Sequence, residues 1–90
     1  MFPFRAIRTS NSPQQQTTKV REELKELMEE LNHDHPNPKR IAHEYWDVVQ
    51  ATSTLGWLLL ARLGERTMAQ GRLDVIERSI ERKYYKEAGE

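Results

Sequence analysis

Acidic residues at helical spacing are the chemistry-bearing feature of this chain. Glu22, Glu23 and Glu26 form an E-E-x-x-E run, and Glu44 and Asp47 form an E-x-x-D pair. Acids three apart fall on neighbouring turns of one helix face. If the two helices pack antiparallel through their apolar stripes, Glu23, Glu26, Glu44 and Asp47 converge at the edge of the seam. Four carboxylates that close repel one another unless a cation neutralises them. Oxygen-only donors suit a hard divalent ion, Mg²⁺ first with Mn²⁺ as its substitute, where water and phosphate oxygens complete the shell. An ion held this way bridges phosphates, polarises phosphorus and lowers the pKa of an attacking water.

The elements that must position these acids are helical. Val20, Leu24, Leu27 and Leu31 are spaced four, three and four apart, one apolar helical stripe. Thr17 or Thr18 is the expected N-cap, with glutamates in the first turns, where the helix dipole favours them. Residues 1–16 read as an irregular arm, with Phe2, Phe4 and Ile7 able to tack it onto the body. Pro36 and Pro38 stop the first helix and leave a short connection. The second helix is expected from Pro38 or Lys39. It carries one stripe through Ile41, Tyr45, Val48, Thr52, Leu55 and Leu59 and a second through Ala42, Trp46, Val49, Leu60 and Leu63. An apolar surface that wide needs partners on two sides. Gly64 and Gly71 bracket a short third piece, Glu65 to Gln70. Leu73, Ile76, Ile80 and Tyr84 mark a fourth helix ending near Gly89. The expected fold is therefore all-α: an irregular arm over 1–16, then one helical domain over 17–90. Two long antiparallel helices dominate a four-helix-type bundle that assembles as a homodimer or homotetramer.

Lys19 to Leu27, a proline-bearing turn, and then Glu44-Tyr45-Trp46-Asp47-Val48-Val49-Gln50 together resemble the all-α nucleoside triphosphate pyrophosphohydrolases. That superfamily holds the MazG-like proteins, phosphoribosyl-ATP pyrophosphatase and the dimeric dUTPases. The likeness runs over about Thr18 to Leu63, and the small size is most like the compact MazG-like proteins. It implies a magnesium-dependent enzyme whose partner is a nucleoside triphosphate, cleaved to the monophosphate and pyrophosphate. It implies Glu23, Glu26, Glu44 and Asp47 as metal ligands, and Glu22 as a supporting ligand or a guide for the attacking water. It also implies basic side chains of the last helix near the phosphates, for which Arg82, Lys83 and Lys86 are the candidates. Two residues depart from the pattern. Lys25 replaces a small or apolar residue between the acids, and Trp46 stands where a small residue usually precedes the aspartate. An indole there changes helix packing or the nucleotide pocket.

Composition narrows the alternatives. Fourteen acidic and fourteen basic side chains cancel, so no whole-chain field draws nucleic acid or an anionic membrane. With no cysteine, thiolate zinc sites and Cys nucleophiles are excluded, and a cytoplasmic setting is the expectation. The most apolar stretch, Leu55 to Leu63, is about half the ~20 residues that span a bilayer. His33, Asp34, His35 and His43 read as solvated turn and helix-start residues rather than a zinc site. Thr52, Ser53 and Thr54 read as hydroxyls bonding back to helix carbonyls or as contacts to a base or sugar. The competing reading of the whole chain is a non-catalytic helical interaction or nucleotide-binding module.

Overall fold

In the computed structural model, residues 2–85 are described, and they form three α-helices: α1 (Pro13–Leu31), α2 (Pro38–Leu63) and α3 (Glu65–Glu81). No strand occurs among the described residues. The chain divides into two compact units, Met1–Leu59 and Leu60–Glu90.

The first unit contains the arm, α1 and most of α2. Helix α1 starts at Pro13, not after Thr17 or Thr18. Ser12 is its cap: Ser12 Oγ accepts from the Gln15 amide at 3.1 Å, and Gln15 Oε1 accepts from the Ser12 amide at 2.8 Å. Two orphan donors are satisfied reciprocally, and Pro13 occupies a first-turn position that needs no N–H. Thr17 and Thr18 instead lie inside the helix and donate to the carbonyls of Pro13 and Gln14. Helix α2 begins where expected. Asn37 Oδ1 accepts from the amides of Lys39 and Arg40, and Glu30 of α1 accepts from the Asn37 amide.

The shielded face of α1 is mixed, with Val20 and Leu27 on one line with Gln16, Glu23 and Glu30. Gln16 is buried and donates to the Ala51 carbonyl at 3.1 Å. Glu23 lies near Glu44 and Asp47, and Glu30 faces Arg40 at 3.7 Å. Gln16, Glu23 and Glu30 are seven apart, two helical turns each. On α2 the answering positions are Ala51, Asp47, Glu44 and Arg40, spaced four, three and four. Of these acids, Glu23 and Glu44 are partly shielded and Asp47 is exposed. Ala51 is the one buried hydrophobic side chain among the described residues. The apolar stripe of α1 is left partly in solvent, with Leu24 47% and Leu31 53% exposed.

The arm lies along α2. Trp57 Nε1 donates to the Phe4 carbonyl at 2.9 Å, Gln50 Nε2 to the Arg5 carbonyl at 2.9 Å, and the Ile7 amide to Thr54 Oγ1 at 3.1 Å. Phe2 meets Trp57 edge to face, with ring centroids 5.0 Å apart. A Cβ on Gly56 would come within 2.6 Å of the Phe2 ring, so glycine makes room for that contact.

The second unit contains the end of α2 and α3. Gly64, at φ 88°, turns the chain between them, a conformation glycine adopts without a Cβ penalty. Gly71 does not break the helix that contains it. The expected short third piece and fourth helix are one continuous α3, which ends at Glu81 rather than near Gly89. A Cβ at Gly71 would meet nothing within 4 Å, so the residue is tolerated inside the helix at a modest propensity cost. No described helix is long and apolar enough to cross a membrane.

Candidate metal centre

Two helices bring three carboxylates together. One oxygen each from Glu23, Glu44 and Asp47 lie within 4.8 Å of one another. Glu23 comes from the middle of α1, where its side chain is 12% exposed. Glu44 and Asp47 come from successive turns of α2. The same faces that bring Gln16 to Ala51 bring Glu23, seven residues on along α1, to Asp47 and Glu44, four and seven residues back along α2.

The donor set fits a divalent cation. Three oxygens of one charge type sit at a spacing that is repulsive without a counterion. Glu44 Oε2 is buried and has no hydrogen-bond partner. A solvent-shielded carboxylate oxygen left unpaired is costly, and a bound cation is one means of satisfying it. Hard oxygen donors in this number match magnesium, which keeps water or phosphate oxygens in its remaining positions.

Glu26 stands beside the trio rather than within it. Its carboxyl is raised above the ordinary glutamate value by a hydrogen bond to Glu23 and by the Glu23 charge, then by desolvation and Glu44, while Lys19 works in the opposite direction. Lys19 Nζ lies 2.9 Å from Glu23 Oε1. That bond and the Glu23 charge raise its ammonium above the usual lysine value, desolvation opposes the rise, and Glu22 and Glu26 add to it. Glu22 is exposed and lies outside the trio. Of the five acids the sequence singled out, three converge, one adjoins them and one does not.

A cavity of about 230 Å³ opens on Glu23 and Asp47 and is walled by Arg8, Asn11 and Gln50 among others. The arm supplies one side of it. Sequence spacing carried no sign of this wall, although the polar run Arg8-Thr9-Ser10-Asn11 between an apolar tack and a helix cap is its source. Trp46 packs among aromatic rings. Its ring lies edge-on to Phe4 at 5.8 Å and to Tyr45 at 4.9 Å, joining α2 to the arm. Thr52 donates back to the Val48 carbonyl at 2.8 Å, as its bland reading requires, while Thr54 is fully buried beneath the arm.

The basic candidates lie in the second unit. Arg82 caps α3 and its guanidinium carbon lies 5.9 Å from the Tyr84 ring centroid. Lys83 is the next residue, at φ 56°. Lys86 and Gly89 fall outside the described residues. The chain matches no protein-family model, no curated protein and no solved structure.

Proposed function

We propose that this chain is a MazG-like nucleotide pyrophosphohydrolase that cleaves a nucleoside triphosphate to the monophosphate and pyrophosphate with Mg²⁺, or Mn²⁺ in its place. The observation that carries this reading is the convergence of Glu23, Glu44 and Asp47 within 4.8 Å, with Glu44 Oε2 buried and unpartnered. Glu23, Glu44 and Asp47 would hold the metal, and Glu26 completes the acidic set beside Glu23. When bound, the metal supplies charge stabilisation to the phosphates and activates water. Glu22 contributes negative charge at the margin of the site, and Arg82, Lys83 and Lys86 remain secondary candidates for phosphate contact.

The pairings Gln16–Ala51, Glu23–Asp47 and Glu30–Arg40 support an antiparallel α1–α2 hairpin. A homodimer or homotetramer covers the exposed apolar stripe of α1 and completes a four-helix-type bundle between copies. The setting is cytoplasmic, with no membrane or nucleic-acid partner.

Pyrophosphate release over a panel of NTPs and dNTPs with Mg²⁺ tests the reading. Turnover of at least one nucleotide, lost in Glu44→Gln and Asp47→Asn with helical content intact, is expected. Full activity in both variants would remove these residues from the site. A wild-type protein inert across the panel would point to the non-catalytic alternative.

A further inference from the structure

The cavity beside the acidic trio has a wall that comes from outside the helices. Residues 8–11 span the gap between the arm's last bond to α2, at Ile7, and the cap of α1 at Ser12. Both ends of this strap are held. Upstream, the Phe4 and Arg5 carbonyls and the Ile7 amide bond to Trp57, Gln50 and Thr54. Downstream, Asn11 Nδ2 donates to Gln16 Oε1 at 3.0 Å, and Gln16 is itself buried against Ala51. A segment this short, fixed at both ends, keeps its backbone beside the cavity, which Arg8, Thr9 and Asn11 line.

Two cations line that cavity with Glu23 and Asp47: Arg8 from the strap and Lys19 from α1. No carboxylate among the described residues pairs with Arg8. Charge requires something of this kind. Glu23, Glu44 and Asp47 carry three negative charges, and one divalent ion leaves one of them uncompensated. A polyphosphate chain adds about one or more negative charges per phosphate. Cations on the same cavity must offset that excess, and guanidinium and ammonium groups are the usual phosphate partners. The cavity, at about 230 Å³, falls below the ~300–1,000 Å³ of pockets for drug-sized ligands, so it takes part of a nucleotide rather than all of it.

Resting on the pyrophosphohydrolase reading, we propose that the cavity under the N-terminal strap binds the phosphate chain of the substrate, with Arg8 and Lys19 as its cationic anchors. The Lys19 ammonium rests on Glu23 Oε1 at 2.9 Å, and its side chain is half exposed, so it would be free to turn to a phosphate oxygen were a divalent ion to take up that carboxylate. The arm is thereby part of the binding site rather than a packing device alone.

The test compares wild type with Arg8→Ala, Arg8→Lys, Lys19→Met and, as a control outside the cavity, Arg21→Ala. Two quantities are read: the rise in melting temperature on adding magnesium pyrophosphate over magnesium alone, and KM and kcat for the nucleotide the wild type turns over. Loss of one charge-assisted contact should raise KM about tenfold or more, with a smaller change in kcat. The pyrophosphate shift should fall in Arg8→Ala and Lys19→Met, recover in part in Arg8→Lys, and stay at the wild-type value in Arg21→Ala. Wild-type KM and an undiminished pyrophosphate shift in Arg8→Ala and Lys19→Met would overturn the subsite while leaving hydrolysis intact. A wild type that hydrolyses nothing, yet shows a pyrophosphate shift that depends on Arg8, would retain the subsite and overturn hydrolysis. Absence of both turnover and shift in the wild type would remove both.

Discussion

Replacing Asp47 with asparagine should stabilise the metal-free protein and weaken its response to magnesium. The residue has two acidic neighbours, Glu23 and Glu44, with oxygens within 4.8 Å. Two unit charges at that distance repel by about 0.9 kcal/mol in water and about 3.5 kcal/mol at an effective dielectric of ~20. Asp47 is exposed, so the lower figure applies to each pair, and the Lys19 ammonium on Glu23 offsets part of the total. About 1 kcal/mol remains. For a domain of this size that corresponds to a rise in Tm of ~4–8 °C. The measurement is a thermal melt by circular dichroism at low ionic strength, since added salt shortens the screening length, to about 10 Å at 0.1 M, and weakens exposed charge pairs. Adding Mg²⁺ at ten times its Kd should then stabilise the wild type by about 1.4 kcal/mol and Asp47→Asn by much less. Equal metal-free melting temperatures would sink the argument. So would a wild-type response to Mg²⁺ no larger than to sodium chloride of matched ionic strength, because the trio would then be three solvated acids without mutual effect.

Glu26 gives a pH signature. Its folded carboxyl is raised above the ordinary 4.5, so the folded chain binds that proton more tightly than the unfolded chain. Its contribution to stability is present below the ordinary value and fades as pH rises through the raised one. Metal-free wild type should therefore gain Tm on acidification toward the upper carboxylate range relative to Glu26→Gln, and parallel melting curves across pH would refute this. Gly71→Ala, inside α3 with open space around the new methyl, should stabilise the helix by about 0.8–1 kcal/mol in a urea titration. Trp57→Phe removes the indole N–H donated to Phe4 and should cost about 1 kcal/mol, with faster proteolysis within the arm as the second readout.

The acids of the site were legible because helical spacing survives folding: Glu23 with Glu44 and Asp47 needed only two packed helices to meet. The line along which α1 meets α2 was less so. Apolar stripes suggested that Leu24 and Tyr45 would lie between the helices, but both are about half exposed, and the shielded line of α1 runs through Gln16, Val20, Glu23, Leu27 and Glu30. A rule that sends apolar side chains inward misplaces a helix face whose contacts are hydrogen-bonded or charged. The start of α1 was missed for a related reason. Ser12 and Gln15 cap it through side-chain bonds, ahead of the first apolar residue of the stripe. Gly71 misled in the other direction, since a helix bears an exposed glycine without breaking. The arm's apolar tack points were visible at Phe2, Phe4 and Ile7, but its bonds use the carbonyls of Phe4 and Arg5 and the amide of Ile7. Backbone groups leave no mark in residue types.

The aromatic cluster around Trp46 has an optical consequence. Trp46 immediately precedes Asp47 in α2, and Tyr45 immediately follows Glu44, so two chromophores flank the two acids that this helix contributes. A luminescent trivalent lanthanide seated on the trio would receive excitation from the adjacent indole and emit in its own narrow bands. Occupancy would then be readable by light from the unmodified chain, with Trp46→Phe dimming the signal far more than any substitution at Trp57.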